Sequence, residues 1–413
     1  MIIISRLKRF PKLFLLTSCF MLISSSLSNA GDFEMLGKYI GNSDAILLAD
    51  PDGNILYAKN AHEQLIPAST IKIFTALAAF HFLGKDYRFR TEFYLDAQRN
   101  LTIKGYGDPY LVSEVIDEIA GALAPMLEPM INSVLVDDSH FSQPPAIPGI
   151  SSTLRPHDAP NGALCVNFNM VSFKPGRHPG TFISGEPQTP LLPFVMEKIK
   201  QSGFRSNRIV LSHNQNDIAL YAGHLFRYFM EKNGVSIHGQ VKTGRVDEKK
   251  EQLIWVHHSS FTVEEIIQKL LEHSNNFMAN QLLIAMGIER YGPPGNVENG
   301  VRAMALYAQQ HISPHQLIIA EGSGISRANR VCVTTMLQIL EKFRPYYHLM
   351  KKEKNAFYKT GTLHGVSNLA GYIESEKGVY PFVIFLNCNG KQAFPIMEVL
   401  LRKVNLQAVV ARM

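Results

Sequence analysis

Residues 67–83 read P-A-S-T-I-K-I-F-T-A-L-A-A-F-H-F-L, and Gly84 closes the run. From Ile71 onward the stretch is almost wholly apolar, which marks a helix buried in an interior rather than one lying on a surface. Two polar residues stand at its start. Ser69 and Lys72 are three apart, a spacing that puts Cβ atoms on one helical face, roughly 5–6 Å apart. A serine hydroxyl is a weak nucleophile and needs a base. A lysine can be that base if burial disfavours its ammonium form. Ile71, Ile73 and Phe74 supply such surroundings. The same residues also suit a helix N-cap and an exposed first-turn lysine, and Ser5 with Lys8 repeats the spacing by chance. The apolar context of Lys72 tips the reading toward chemistry.

Working outward, residues 45–50 (AILLAD) and 54–59 (NILYAK) are strand-like, and Pro51-Asp52-Gly53 joins them as a hairpin turn. Residues 89 to about 255 hold short alternating strands such as 93–95, 134–137 and 209–212. Turn-rich pieces at 143–150 and 174–180 separate them, and one helix is expected near 220–232. Helical periodicity returns at 262–271, 277–286 and near 301–310. From Phe357 the pattern is β again, with 368–374 and 380–387 forming a second hairpin about Lys377-Gly378. A last amphipathic helix spans about 395–404, expected to pack on the sheet. Strands at both ends with helices between them predict one sheet built from both ends of the chain, an α+β architecture. Residues 31–88 and 256–413 would form that domain, with 89–255 inserted as β-rich material.

Residues 1–30 read as a secretory signal. Arg6, Lys8, Arg9 and Lys12 precede the apolar run 13–23, and Ser28-Asn29-Ala30 is a small-x-small cleavage site. The whole chain has 41 Lys+Arg against 35 Asp+Glu; without the leader's four basic residues the balance is 37 against 35. The positive charge is therefore largely a targeting effect and no footprint for nucleic acid. No later stretch approaches a transmembrane span. Cys165, Cys332 and Cys388 follow the leader without any metal-ligand spacing, and their apolar contexts favour buried free thiols over a disulfide framework. Neither a metal nor a cofactor is implied.

Two further elements could join Ser69. Ser274-Asn275-Asn276 precedes a helix; its hydroxyl and amide can relay protons and hold a substrate amide, and the same residues are good N-caps. Lys359-Thr360-Gly361-Thr362 leads into a strand. Lys359 and Thr360 can bind a carboxylate, Gly361 lets a substrate backbone approach the strand edge, and the Thr362 N–H can join that of Ser69 in an oxyanion hole. Lys242-Thr243-Gly244 and Ser212-His213-Asn214 copy these patterns, but both precede Ser274.

The order SxxK, SxN, KTG is that of serine enzymes that recognise penicillin. Residues 67–72 (PASTIK), 273–283 (HSNNFMANQLL), 321–330 (EGSGISRANR) and 359–371 (KTGTLHGVSNLAG) resemble the D-alanyl-D-alanine carboxypeptidase/endopeptidase family of low-molecular-mass penicillin-binding proteins. Weaker echoes lie at 105–109, 137–141, 159–169 and 221–227. The resemblance implies a transpeptidase-like fold with a large insertion and a periplasmic enzyme acting on peptidoglycan stem peptides, with β-lactams as covalent inhibitors. It implies that Ser69 forms the acyl-enzyme with Lys72 as base, and that Ser274 and Asn276 assist proton transfer and position the peptide. Lys359 and Thr360 would hold the terminal carboxylate, and Arg327 would lie near the diamino-acid side chain. This sequence departs from the family in three places. Glu321 stands where the family usually has Asp, and His364 stands where relatives can carry Gln and contact substrate. Residues 148–150 lack the usual Trp and following acidic pair, so the partner of the substrate's free amine is missing unless Asp158 replaces it. A serine β-lactamase shares the three motifs but needs a separate glutamate for its deacylating water, and no E-x-x-x-N arrangement lies between Asn276 and Lys359. A cell-wall-binding protein without catalysis is the alternative outside enzymes.

Overall fold

The computed structural model describes residues 36–127, 130–142, 145–312 and 317–410. The expected leader lies outside them, as do Gln143 and Pro144 of the first turn-rich piece. Both ends of the chain meet in one antiparallel sheet of six strands, in the order Lys351–Glu353, Ala356–Leu363, Val366–Ser375, Gly378–Leu386, Asp44–Ala49, Ile55–Lys59. Both expected hairpins are present. Lys359-Thr360-Gly361-Thr362 lies inside the strand Ala356–Leu363 rather than ahead of it.

The unbroken apolar run at 45–49 has a physical reason. Successive strand residues face opposite sides, and here both sides are covered. Ala45, Leu47 and Ala49 pack toward the helices, with Val383 and Phe385 of the neighbouring strand. Ile46 and Leu48 pack on the other face, with Phe382, Ile384 and Leu400 of the C-terminal helix Phe394–Val410.

On the helical side, Lys72–Phe82 is the centre. Its residues from Lys72 to Ala79 are all buried. It touches the helices Val263–His273, Asn276–Tyr291, Val297–His311 and Val333–Phe343. Ala76, Ala78 and Ala79 are small enough to let these neighbours close around it. The strongly amphipathic helix Val333–Phe343 is not among those expected from sequence.

The segment 89–255 has its own core, built on a five-stranded sheet in the order Val241–Thr243, Val134–Asp137, Leu101–Gly105, Arg90–Asp96, Glu251–His258, whose last strand runs past the expected boundary because residues 256–258 pair with 90–92. A three-stranded sheet, Phe182–Ser184, Met170–Pro175 and Asn207–Val210, adjoins it. It also holds two unanticipated helices, Ser113–Leu127 and Pro193–Ser202. Gly121 and Pro125 weaken the local helix preference of the first, but Val115, Ile116, Ile119, Ala120 and Leu123 recur at helical spacing and are buried. The helix expected near 220–232 begins earlier, at Gln215, because Asn214 caps it. That assigns Ser212-His213-Asn214 to structure, and Lys242 sits in a strand of this segment.

Buried amides join this segment to the helices. Asn161 Nδ2 donates to Phe277 O (2.9 Å) and Gln281 Oε1 (3.0 Å), while Gln281 Nε2 donates to Gly107 O and Gly162 O. The weak echoes at 105–109 and 159–169 thus include contact points between the two parts. Cys165, Cys332 and Cys388 are free. Cys165 and Cys332 are buried; Cys388 is exposed, because the chain has left the sheet at Leu386. Among the described residues no helix is long and apolar enough to cross a membrane.

Candidate active site

Ser69 sits on a one-turn 3-10 helix, Ala68–Ile71, which runs into the buried helix at Lys72. Two backbone approaches shape this turn. A Cβ on Gly361 would stand 2.6 Å from Pro67 O and 3.2 Å from Ser69 N. A Cβ on Gly324, itself at φ +83°, would collide with the Ala68 carbonyl. The space that Gly361 leaves beside the strand is therefore filled by the serine turn of this same chain. Ala68 is held at φ +47°, a costly conformation for a residue with a side chain.

Lys72 Nζ lies 2.9 Å from Ser69 Oγ, 2.8 Å from Asn276 Oδ1 and 2.6 Å from Ser323 O. The side chain is fully buried. Burial first, and the neighbouring Lys359 charge second, hold its amine well below the usual lysine range, while the Glu321 carboxylate pulls the other way. A neutral amine has two hydrogens and one lone pair. The two carbonyl oxygens can take the hydrogens, leaving the lone pair for the Ser69 hydroxyl.

The motif 274–276 divides its tasks in a way that its sequence leaves open. Asn275, not Ser274, caps the helix Asn276–Tyr291, accepting from Met278 N at 3.2 Å. Ser274 is the left-handed residue, φ +55°, that ends Val263–His273 and turns the chain into the next helix. This frees its side chain to line the groove in front of Ser69. Asn276 accepts from Lys72 and donates to His157 O at 3.3 Å.

The loop 321–330 is a feature whose role sequence reading missed. Glu321 is fully buried, and its oxygens accept six hydrogen bonds. Oε2 takes Ser323 N, Ser323 Oγ and Asn280 Nδ2, and Oε1 takes Gly324 N, Ser326 N and Asn329 Nδ2. This carboxylate folds the loop that presents Ser323 O to Lys72. The run of small residues after an acidic one, in which Ser323, Gly324 and Ser326 donate close backbone and hydroxyl hydrogens, is the only local sign of it.

Lys359 is also buried, and burial lowers its pKa to about 8. It bonds only Thr360 O, at 3.1 Å, among the described residues. The groove in front of Ser69 has a volume of about 660 Å³ and is lined by Ser274, Asn276, Thr362 and His364 among others. Thr360 is not among them. It lines a smaller cavity of about 180 Å³ with Gln392 and Phe394, near the C-terminal helix. Arg327 is exposed and donates to the His364 carbonyl, beside the groove rather than in it. Residues 149–158 form a wall that no motif announced. Asp158 belongs to this wall, but its carboxylate is buried and accepts from Ser151 N and Thr153 Oγ1.

The site thus offers a serine and two amides or hydroxyls on one groove, with the buried Lys72 amine bonded to the serine and the desolvated Lys359, which does not line the groove, close enough to act on Lys72, a set suited to acyl transfer at a peptide with a carboxylate end. A profile of the D-Ala-D-Ala carboxypeptidase 3 (S13) family matches residues 39–204, 197–350 and 342–403. A D-alanyl-D-alanine carboxypeptidase of Actinomadura sp. (strain R39) is 25% identical over an alignment of 422 residues, covering 84% of this chain and 77% of the relative. The D-alanyl-D-alanine carboxypeptidase DacB of Haemophilus influenzae is 24% identical over 438 residues, 91% of each. The crystal structure of penicillin binding protein 4 from Haemophilus influenzae shares the fold, with a TM-score of 0.74 at 21% identity over 91% of this chain and 99% of that one. A predatory endopeptidase from Bdellovibrio bacteriovorus shares it more distantly, with a TM-score of 0.53 at 15% identity over 89% and 93%.

Proposed function

This chain belongs to the D-Ala-D-Ala carboxypeptidase 3 (S13) family, and from that premise we propose the residues and steps by which it cleaves its substrate. It is a serine-type D-alanyl-D-alanine carboxypeptidase, a hydrolase of the penicillin-binding kind. The substrate is a peptidoglycan stem peptide, and the same chemistry opens a cross-link when a D-alanyl bond lies within it. The observation that carries the assignment of roles is the Lys72 amine, buried and fixed between Ser69 Oγ, Asn276 Oδ1 and Ser323 O.

Lys72, neutral, takes the Ser69 hydroxyl proton as Oγ bonds to the scissile carbonyl carbon. The N–H groups of Ser69 and Thr362 hold the oxyanion. Ser274 passes the proton to the nitrogen of the departing D-alanine, the C–N bond breaks, and an ester remains on Ser69. Water then gives a proton to Lys72 as it adds to the ester carbon, and Lys72 returns that proton to the Ser69 oxygen as it leaves. Lys359 pairs with the terminal carboxylate, and the strand edge at 360–362 aligns the peptide backbone.

A β-lactam enters the same path because its ring amide resembles the scissile bond. The Haemophilus penicillin binding protein 4 has been solved with a β-lactam. Deacylation is slow, since Glu321, the buried carboxylate near the site, is saturated by its six donors and has no lone pair free for a water. Residues 31–88 with 256–413 act as the catalytic unit, and 89–255 adds a wall to the groove. The leader expected over 1–30 supports export from the cytoplasm, and the family resemblance adds the periplasm as the compartment.

Purified protein is to be incubated with a D-Ala-D-Ala-terminated peptide and, separately, with labelled penicillin. Free D-alanine and a mass increment mapped to Ser69 are expected, and Ser69→Ala loses both. Well-folded protein that yields neither D-alanine nor endopeptidase product would sink the reading.

A further inference from the structure

The turn-rich piece at 174–180 takes no part in the site, yet the charges around it are one-sided. Residues 159–216 hold six Lys and Arg against two carboxylates, although the chain without its leader is almost neutral. Arg208 pairs with Glu186, Lys198 pairs with Asp217, and Glu197 bonds Gln201. Lys174, Arg177, Lys200 and Arg205 are exposed, and no carboxylate pairs with any of them among the described residues.

The fold brings these four cations to one end of the three-stranded sheet. Lys174 stands near the end of the central strand Met170–Pro175, opposite Ile183. Arg177 lies on the hairpin turn that follows, which Gly176 N and Thr181 O close at 2.9 Å. The third strand starts at Asn207, opposite Phe173, and runs antiparallel, so 204–206 enter it from the hairpin end. Lys200 is in the last turn of the helix just ahead of them. Phe173 and Phe182 turn into the core of the segment, so Lys174 and Ile183, each one residue further on, face outward. Ile183 is 50% exposed and Phe204, beside Arg205, is 42% exposed.

Cations alone would suit any polyanion. Large apolar side chains left uncovered among them suit a lipid surface, where they enter the boundary between headgroups and acyl chains while the cations meet anionic headgroups. We propose that this end of the sheet docks on a membrane surface that carries anionic phospholipid and holds the enzyme there. The inference does not rest on the peptidase reading, since none of these residues lines the groove in front of Ser69.

Residues 31–413, the chain that the expected cleavage leaves, are sedimented with vesicles of phosphatidylcholine with or without phosphatidylglycerol, at low and high salt. Binding to the anionic vesicles alone is expected, weakening as salt rises. Each cation near such a surface is worth roughly fivefold in affinity, so Lys174→Glu with Arg177→Glu and Arg205→Glu should weaken binding by about a hundredfold or more. Ile183→Ser with Phe204→Ser should weaken it by about tenfold, a factor that salt leaves unchanged. Lys85→Glu with Lys242→Glu and Lys249→Glu, at exposed positions elsewhere, alters the net charge equally and should bind as the wild type does. An unchanged melting midpoint in each variant excludes unfolding as the cause. Failure to bind anionic vesicles, or equal losses in the two triple variants, overturns the proposal. So does binding that dextran sulfate competes away and that Ile183→Ser with Phe204→Ser leaves unmoved, which would make the surface a polyanion site.

Discussion

Replacing Glu321 by glutamine keeps the side chain's shape and removes its charge. The carboxylate accepts three hydrogen bonds on each oxygen. The amide must turn its NH2 group toward one of these sets, where donor would face donor. Bonds to a charged acceptor contribute about 1.5–3 kcal/mol each. Three lost bonds, at the low end of that range, put about 4–5 kcal/mol at stake. For a unit of about 200 residues each kcal/mol moves the melting midpoint by roughly 2–4 °C, so a fall of about 10 °C is expected. The second effect runs opposite to intuition. Glu321 raises the Lys72 pKa, so removing its charge lowers that pKa further. Acylation needs neutral Lys72, so the acid limb of its pH profile moves to lower pH. Glu321→Asp keeps the charge and serves as the comparison. Thermal melts and stopped-flow penicillin acylation from pH 4 to 9 read both effects. An acid limb that stays in place, or moves to higher pH, would refute the assignment of Lys72 as the titrating base under the influence of Glu321.

Three more outcomes follow from named contacts. Lys359, lowered to about 8 by burial, loses its charge as pH rises through that value, so kcat/KM for carboxylate-ended peptides should fall above about pH 8; an alkaline limb unchanged in Lys359→Arg would exclude it. Asp108 is buried, Oδ2 meets no hydrogen-bond partner among the described residues, and burial raises its pKa to about 6 from an ordinary 3.8. The folded state then holds the proton longer than the unfolded chain, so stability falls between about pH 4 and 6 by about 3 kcal/mol; urea unfolding of Asp108→Asn should lose this slope. Gly324→Ala pushes a methyl group into the Ala68 carbonyl and should cut the penicillin acylation rate about a hundredfold by misplacing the serine turn; an unaltered rate would show that the turn tolerates displacement.

The helices show where local pattern suffices. The periodicity that starts at 262 matches the helix Val263–His273, and the structure adds the capping box of Thr262 with Glu265 that fixes its start. The hairpins about 51–53 and 377–378 were legible because turn residues interrupt apolar runs. Ser113–Leu127 was not, since Gly121 and Pro125 lower its intrinsic preference and only packing against Gln215–Lys232 restores it. Thr360 shows a different limit. Its place in the motif suggests the groove, but in the strand Ala356–Leu363 the buried Ala356 and Tyr358 on alternate positions belong to the cluster of the C-terminal helix, and Thr360 continues that face.

The sequence by itself put Ser69 beside Lys72, because i and i+3 on one helical turn are neighbours whatever surrounds them. It also determined the order of the three motifs and the single sheet that both ends of the chain build. The tertiary structure alone decided the strength of the base and the character of the groove. Lys72 owes its lowered pKa to burial and to Lys359, which is 287 positions away in a chain of 413. The Ser323 carbonyl, the six-fold clasp of Glu321 and the wall formed by 149–158 come from segments brought together only by folding. Desolvation and charge act through space, and no spacing along the chain encodes them.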